Sequence, residues 1–186
     1  MQKNNLTKLK ARLFALLEKD ALRIGKFILS SGKESNYYLD GRVVTLAPEG
    51  AYLAASIILE LIKDADVDAV GGPTIGADPI AGAVACLSYL QKKPVKAFIV
   101  RKSSKEHGTQ RRVEGPSLKI GDKVIIVDDV ATTGEALLEA KEALEKNGVK
   151  VAGAIVIVDR LQGAKENLEA GGLKLKSIFT IKDFGL

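Results

Sequence analysis

Apolar positions along the chain follow two rhythms, one helical and one extended. Leu6, Leu9, Leu13 and Leu16/Leu17 recur every three to four positions, which predicts an amphipathic helix over about residues 6–19. Ala21–Leu29 mixes β-branched and aromatic residues and reads as extended. Pro48–Ala65 opens with a proline suited to a first helical turn and carries Tyr52, Ala55, Ile58/Leu59 and Ile62 on one face. Four short apolar runs follow: Ala69-Val70, Ala97–Val100, Val124–Val127 and Ala154–Val158, each suited to a strand buried on both faces. Helical patterns at Ala77–Leu90 and Glu135–Asn147 lie between them, the second closed by Gly148. Ile178–Ile181 reads as a further strand. This alternation predicts an α/β protein with a central parallel sheet flanked by helices.

Two intervals break the rhythm. Residues 30–47 are polar and carry glycines, and residues 101–122 join two buried strands without clear periodicity. Connections of that length tend to be lids or binding loops. The chain of 186 residues reads as one domain, and its 46% hydrophobic and 27% charged residues exclude disorder as its main state. A single cysteine, Cys86, excludes a disulfide framework, and its helical setting between Ala85 and Leu87 predicts buried filler. A single histidine, His107, excludes the two-histidine metal motifs. No apolar run reaches the roughly 18 residues that span a bilayer. The patch Phe14–Leu17 runs directly into Glu18, Lys19 and Asp20, unlike a secretory signal, so the expected location is cytoplasmic.

The densest chemistry lies at Val124–Gly134, where a buried strand meets Asp128 and Asp129 and then a small-residue turn opens a helix. Ligands of open α/β sheets bind at the carboxyl ends of strands. Amides from Ala131 to Glu135, the hydroxyls of Thr132 and Thr133 and the helix dipole all favour a phosphate, and Gly134 permits close approach. Carboxylates repel phosphate but accept hydrogen bonds from hydroxyls, so the two sets together suit a sugar phosphate. An ordinary helix cap with solvated aspartates is the alternative. No GxxxxGK[ST] and no GxGxxG occurs, which weakens nucleotide-cofactor readings.

The net charge is +5, and part of the excess gathers where the strand Ala97–Val100 ends. Arg101, Lys102, Lys105, His107, Arg111 and Arg112 are offset there only by Glu106 and Glu114. Such a segment suits a polyanion such as diphosphate, with a solvated charge run or a nucleic-acid patch as the alternatives. No aromatic residue interleaves the cations, which counts against base stacking and against nucleic acid as a partner.

Val127 through Gly134 resembles the phosphoribosyl diphosphate (PRPP) signature of type I phosphoribosyltransferases. Arg101-Lys102-x-x-Lys105-x-His107-Gly108 is similar to the mobile catalytic loop of orotate phosphoribosyltransferases. Ser31-Gly32-Lys33-Glu34-Ser35-Asn36-Tyr37-Tyr38 and Asp159-Arg160 match two further segments of that family in order. The resemblance implies one type I phosphoribosyltransferase domain over residues 1–186. Its hood would come from about 1–45 and 160–186, and its mobile loop would span about 101–117.

It also implies transfer of ribose 5-phosphate from PRPP to orotate, giving orotidine 5′-monophosphate and diphosphate in pyrimidine (UMP) synthesis. Mg²⁺ would be the cofactor, held mainly through PRPP rather than by direct protein ligands. By the same resemblance, Lys105, His107 and Asp129 are catalytic, with Lys105 and His107 closing over the diphosphate. Asp128 and Asp129 hold the ribose hydroxyls, Ala131, Thr132, Thr133, Gly134 and Glu135 cradle the 5′-phosphate, and Val130 and Ala136 also bind PRPP. Thr74, Ile75 and Gly76 form the diphosphate loop. Thr132, Arg160, Tyr38 and Leu39 contact orotate. Arg101 and Lys102 would serve the neighbouring subunit of a homodimer. The chain departs from some relatives in two places: Ser30 stands where they carry a lysine, and Ile75-Gly76 where they carry Tyr-Lys. A purine or another pyrimidine as acceptor, and a non-catalytic sensor, are the competing readings; the Ser31–Tyr38 segment and Arg160 argue against a neutral base.

Overall fold

The computed structural model describes residues 2–28, 34–102 and 112–186. Helix α1 (Gln2–Leu16) runs into one π-helical turn (Leu17–Ala21), followed by β1 (Leu22–Ile28) and β2 (Glu34–Leu39), which pair antiparallel as a sheet of their own. A single turn, α2 (Arg42–Thr45), leads to α3 (Pro48–Ile62), whose Pro48 sits where its missing N–H costs nothing. Beyond it come β3 (Ala69–Pro73), α4 (Ala77–Leu90), β4 (Lys96–Val100) and the two-residue β5 (Val113–Glu114). The chain continues through β6 (Lys123–Ala131), α5 (Glu135–Glu145), β7 (Lys150–Asp159), α6 (Ala164–Ala170) and β8 (Leu175–Thr180) to a 3₁₀ turn (Ile181–Phe184).

The main sheet has the order β5-β4-β3-β6-β7-β8, parallel throughout except for β5 at one edge. The chain winds outward one way from β3 and the other way from β6. Their carboxyl ends therefore flank the point where such sheets open a crevice.

Alternation along β6 shows why the sheet is covered twice. Ile125 and Val127 join one buried cluster, with Leu53, Ile57 and Ile80 of α3 and α4. Val124 and Ile126 join another, with Leu137 and Leu144 of α5 and Leu168 of α6. Each such side chain, once buried, stabilises the fold by about 1.5–3 kcal/mol. Helix α1 lies over α3, tied by an Arg12–Glu49 ion pair, and Phe14 stacks on Phe184 at 4.6 Å between ring centres.

The four helical patterns and the buried strands stand where the apolar rhythm predicts them, with α4 matching residue for residue. β6 and β7 run longer than their apolar cores, since Asp128, Asp129 and Asp159 still pair in register. The extended reading of Ala21–Leu29 corresponds to β1. Four elements were not predicted: β2, α2, β5 and α6. Cys86 is a correction: it is exposed, because the buried stripe of α4 runs through Ile80, Ala81, Val84 and Ser88. No described helix is long and apolar enough to cross a membrane.

Candidate active site

Strand β6 carries its buried run directly into Asp128 and Asp129, and the turn 132–134 then reverses into α5. Gly134 makes this turn possible with φ of 81°, a left-handed conformation that costs an L-residue about 1–2 kcal/mol. Among the described residues no side chain caps α5. The amides of Leu137 and Leu138 donate to the Gly134 carbonyl, each at 3.1 Å, which leaves those of Glu135 and Ala136 to face an anion.

The two carboxylates are close neighbours, with the Asp129 amide donating to Asp128 Oδ1 at 2.9 Å. Burial pushes the Asp128 carboxyl well above its ordinary value, and the charge of Asp129 adds to this. Burial also raises Asp129; hydrogen bonding with the Asp128 side chain and from the Val130 amide opposes the rise, Asp40 adds to it, and the Arg42 charge opposes it. Hydroxyls donating to these oxygens would favour the charged forms. Backbone approaches Asp129 from two directions. A Cβ on Gly76 would lie 2.3 Å from Asp129 Oδ1 and 2.2 Å from Asp128 Oδ1, and one on Gly41 would lie 2.9 Å from Asp129 Oδ2.

These carboxylates open onto a cleft of about 680 Å³ at the switch between β3 and β6. Of the residues singled out from sequence, it brings together Tyr38, Leu39, Thr74, Gly76, Arg101, Lys102, Asp128, Asp129, Val130, Thr132, Glu135, Ala136 and Arg160. Ala131, Thr133 and Gly134 belong to the adjoining turn, with Ala131 and Gly134 buried and Thr133 exposed, and Ile75 is 58% exposed beside the cleft. Lys105, His107 and Arg111, as well as Ser30 through Lys33, lie outside the described residues.

Thr74 is fixed by donating from Oγ1 to Asp78 Oδ2 at 2.7 Å, and its amide donates to the Val100 carbonyl at 3.0 Å. Arg101 stands 3.6 Å from Glu114, while Arg112 donates to the Arg101 carbonyl at 3.1 Å and to Glu139 at 3.2 Å.

Arg160 follows the last residue of β7, and its amide donates to the Ala131 carbonyl at 2.9 Å, so it is held against the end of β6. Its Nε donates to the Tyr37 hydroxyl at 3.1 Å, and its guanidinium carbon lies 4.9 Å from the centre of the same ring. The buried Nη2 has no hydrogen-bond partner among the described residues. An unpaired buried donor is costly, and a planar carboxylate would satisfy it.

Sequence reasoning missed Tyr37 as the support of Arg160, and it missed Asp40 and Arg42, both of which line the cleft. Arg42 clamps Asp40 through Nε and Nη2, each at 2.8 Å, and the pair draws Asp40 below the ordinary carboxylate range and raises Arg42. The Asp-x-Arg spacing was the available signal.

Paired carboxylates beside an open helix end, set at the switch of a parallel sheet, suit a ligand that carries both hydroxyls and a phosphate. The family model described as "Phosphoribosyl transferase domain" matches residues 43–184, and the chain belongs to that family. It is 47% identical over 175 residues to the orotate phosphoribosyltransferase of Methanocaldococcus jannaschii, covering 94% of this chain and 96% of the relative. It is 46% identical over 182 residues to that of Rhodopirellula baltica, covering 95% and 94%. Among solved structures, the Mycobacterium tuberculosis orotate phosphoribosyltransferase in complex with PRPP superposes with a TM-score of 0.79 at 35% identity, over 96% of this chain and 99% of that one. Within the family, the chain falls among the orotate phosphoribosyltransferases.

Proposed function

We propose that this cleft binds PRPP along β6 and α5 and orotate against Arg160, and transfers ribose 5-phosphate between them. The bond from the anomeric carbon to a diphosphate oxygen breaks, and a bond to a ring nitrogen of orotate forms as that nitrogen releases its proton to the departing diphosphate or to solvent, giving orotidine 5′-monophosphate and diphosphate. Asp128 and Asp129 accept hydrogen bonds from the ribose hydroxyls. The amides after Gly134, with Thr132 and Thr133, take the 5′-phosphate. Thr74 and the loop around Gly76, at the N-terminus of α4, face the diphosphate. One observation carries the choice of acceptor: the buried Arg160 Nη2, unpaired at the cleft wall, calls for an anionic base. Tyr38 and Leu39 form the wall beside it.

As the anomeric carbon turns cation-like, charge accumulates on the leaving group, so catalysis rests on positioning and on preorganised charge. Lys105 and His107 would supply cations from the segment that follows β4. Exclusion of water by that segment would protect the intermediate from hydrolysis. Among the described residues no three His, Cys, Asp or Glu side chains converge on a metal-binding point. Asp128 and Asp129 offer hard oxygen donors in the cleft, and such donors fit Mg²⁺ held mainly through the oxygens of PRPP. When bound, Mg²⁺ supplies neutralisation of diphosphate charge.

Arg101 and Lys102 line the cleft of their own chain. In the homodimer we propose, the segment they open also reaches the neighbouring site. The protein would work in the cytoplasm, with small molecules as its substrates.

The test is orotate consumption in the presence of PRPP and Mg²⁺, followed by absorbance against a panel of other bases. Consumption of orotate alone is expected, and a purine preferred to orotate would overturn the reading. Lys105→Ala should depress turnover while leaving the melting temperature unchanged.

A further inference from the structure

The loop that faces the proposed diphosphate carries no cation. Thr74, Ile75, Gly76, Ala77 and Asp78 lead from β3 into α4, and the one charged side chain among them is the anion of Asp78. The loop backbone also lies against two further anions, since a Cβ on Gly76 would meet Asp128 Oδ1 at 2.2 Å and Asp129 Oδ1 at 2.3 Å. An acidic residue in a first helical turn interacts favourably with the helix dipole. Yet among the described residues no side chain caps α4, and the Asp78 carboxylate turns back to the loop instead.

Asp78 Oδ2 accepts from Thr74 Oγ1 at 2.7 Å, while Asp78 Oδ1 is buried and has no partner among the described residues. A threonine hydroxyl has one proton to donate and lone pairs with which to accept. Here the proton goes to Asp78. Diverting it to a diphosphate would strip this carboxylate of its hydroxyl donor when its other oxygen is already unpaired, which is costly. The Thr74 amide is engaged as well, by the Val100 carbonyl at 3.0 Å. Thr74 lines the cleft, and Asp78 binds it from behind. What the Thr74 side chain offers the cleft is therefore an acceptor. Diphosphate oxygens are acceptors too, and two acceptors meet favourably only through a donor or a cation.

We propose that Asp78 is a positioning residue that holds the Thr74 hydroxyl as an acceptor, so that the loop takes the diphosphate with its hydrated Mg²⁺ and discriminates against the bare anion. The assignment rests on the proposed function, which puts the diphosphate at Thr74. Mg²⁺ held by phosphates keeps several of its waters, and such a water is the donor that Thr74 Oγ1 can accept from. A loop that Asp78 merely supported would bind both forms of PRPP less well once that support was removed. A loop that Asp78 orients would lose its preference between them.

The experiment is calorimetric binding of PRPP to the full-length protein without orotate, in Mg²⁺ and in EDTA, for wild type, Asp78→Asn, Thr74→Val and the double variant. Asparagine can donate to Thr74 Oγ1 through its amide, which frees the hydroxyl proton for a phosphate oxygen. Asp78→Asn should therefore tighten PRPP in EDTA by about 3- to 10-fold and shrink the preference for Mg²⁺ to match. Thr74→Val should weaken PRPP by about 3-fold or more in Mg²⁺ and leave the EDTA value unchanged. In that background Asp78→Asn should gain less. An EDTA affinity of Asp78→Asn no tighter than wild type would overturn the assignment, with equal weakening in both media marking a loop that has only lost support. A gain undiminished by Thr74→Val would overturn it as well, since charge alone would then explain the effect. If Asp78→Asn does not fold, Thr74→Val decides: a loss confined to Mg²⁺ supports the role, and an equal loss in both media, or none in either, refutes it. Wild type that neither binds PRPP in Mg²⁺ nor consumes orotate would instead overturn the functional reading, and this assignment with it.

Discussion

Arg160 and Tyr37 stand 123 positions apart and share a 3.1 Å hydrogen bond from Nε to the phenolic oxygen, beneath a guanidinium 4.9 Å from the ring centre. The ring fixes the plane of the fork and the hydroxyl fixes its rotation. Tyr37→Phe keeps the ring and removes the acceptor. The expected outcome is an orotate KM raised about 3- to 10-fold, equivalent to roughly 1 kcal/mol, with kcat and the PRPP KM little changed. Steady-state kinetics with each substrate varied in turn will check this. An unchanged orotate KM would remove Tyr37 from the site.

Arg160→Ala goes further, deleting both the fork and its charge. Loss of a charge-assisted bidentate contact should raise the orotate KM by about 10-fold or more. PRPP binding, measured by calorimetry without orotate, should be preserved. Loss of PRPP binding would show that Arg160 supports the Ala131 turn rather than the base.

Asp128 predicts a conflict between stability and function. Its folded-state carboxyl titrates above the unfolded one because it is buried. Between those two values the native state holds more protons than the unfolded state, so stability falls as pH rises through the window and stays reduced above it. Asp128→Asn removes this cost. Its melting temperature should exceed wild type at pH 8 by about 2–4 °C for each kcal/mol recovered, with a smaller difference at pH 4. Turnover should fall sharply in the same variant. Calorimetric scans at the two pH values, with activity assays, measure both.

Gly76→Ala tests the close approach of the α4 loop. The added methyl would meet Asp128 Oδ1 at 2.2 Å and Asp129 Oδ1 at 2.3 Å, so the carboxylates must move or the loop must retreat. Most of the activity should be lost, with the PRPP KM raised. The core helix beyond Gly76 should keep the far-UV circular dichroism unchanged.

Gly134→Ala addresses the phosphate turn. At φ of 81° the substitution costs about 1–2 kcal/mol, and the methyl would also sit 3.0 Å from Leu168 Cγ. A melting temperature lowered by roughly 2–8 °C is expected, together with a raised PRPP KM. Inorganic phosphate should protect this variant less than it protects wild type.

The part of the site on β6 was legible because its chemistry is contiguous: a buried strand, two carboxylates, small residues and a helix lie within one stretch. The ends of β6 and β7 were not, because apolar rhythm stops where Asp128 and Asp159 begin, although pairing continues past them. The antiparallel partner β2 was read as a polar break, since Glu34–Leu39 alternates against a small exposed sheet rather than a core. α6 escaped because only Ala164 and Leu168 of its seven residues are buried. Tyr37 was missed for another reason. Its partner is distant in the chain, and no local pattern carries such a relationship. Cys86 shows the converse error, since a small apolar neighbourhood in sequence did not fix which side of α4 faced inward.

The carboxylate of Asp129 sits between two stretches of main chain, at Gly41 and at Gly76. Its slot is thus as wide as peptide units allow, and no rotation of a side chain can enlarge it. Widening that slot by mutation would require displacing the polypeptide itself on one flank.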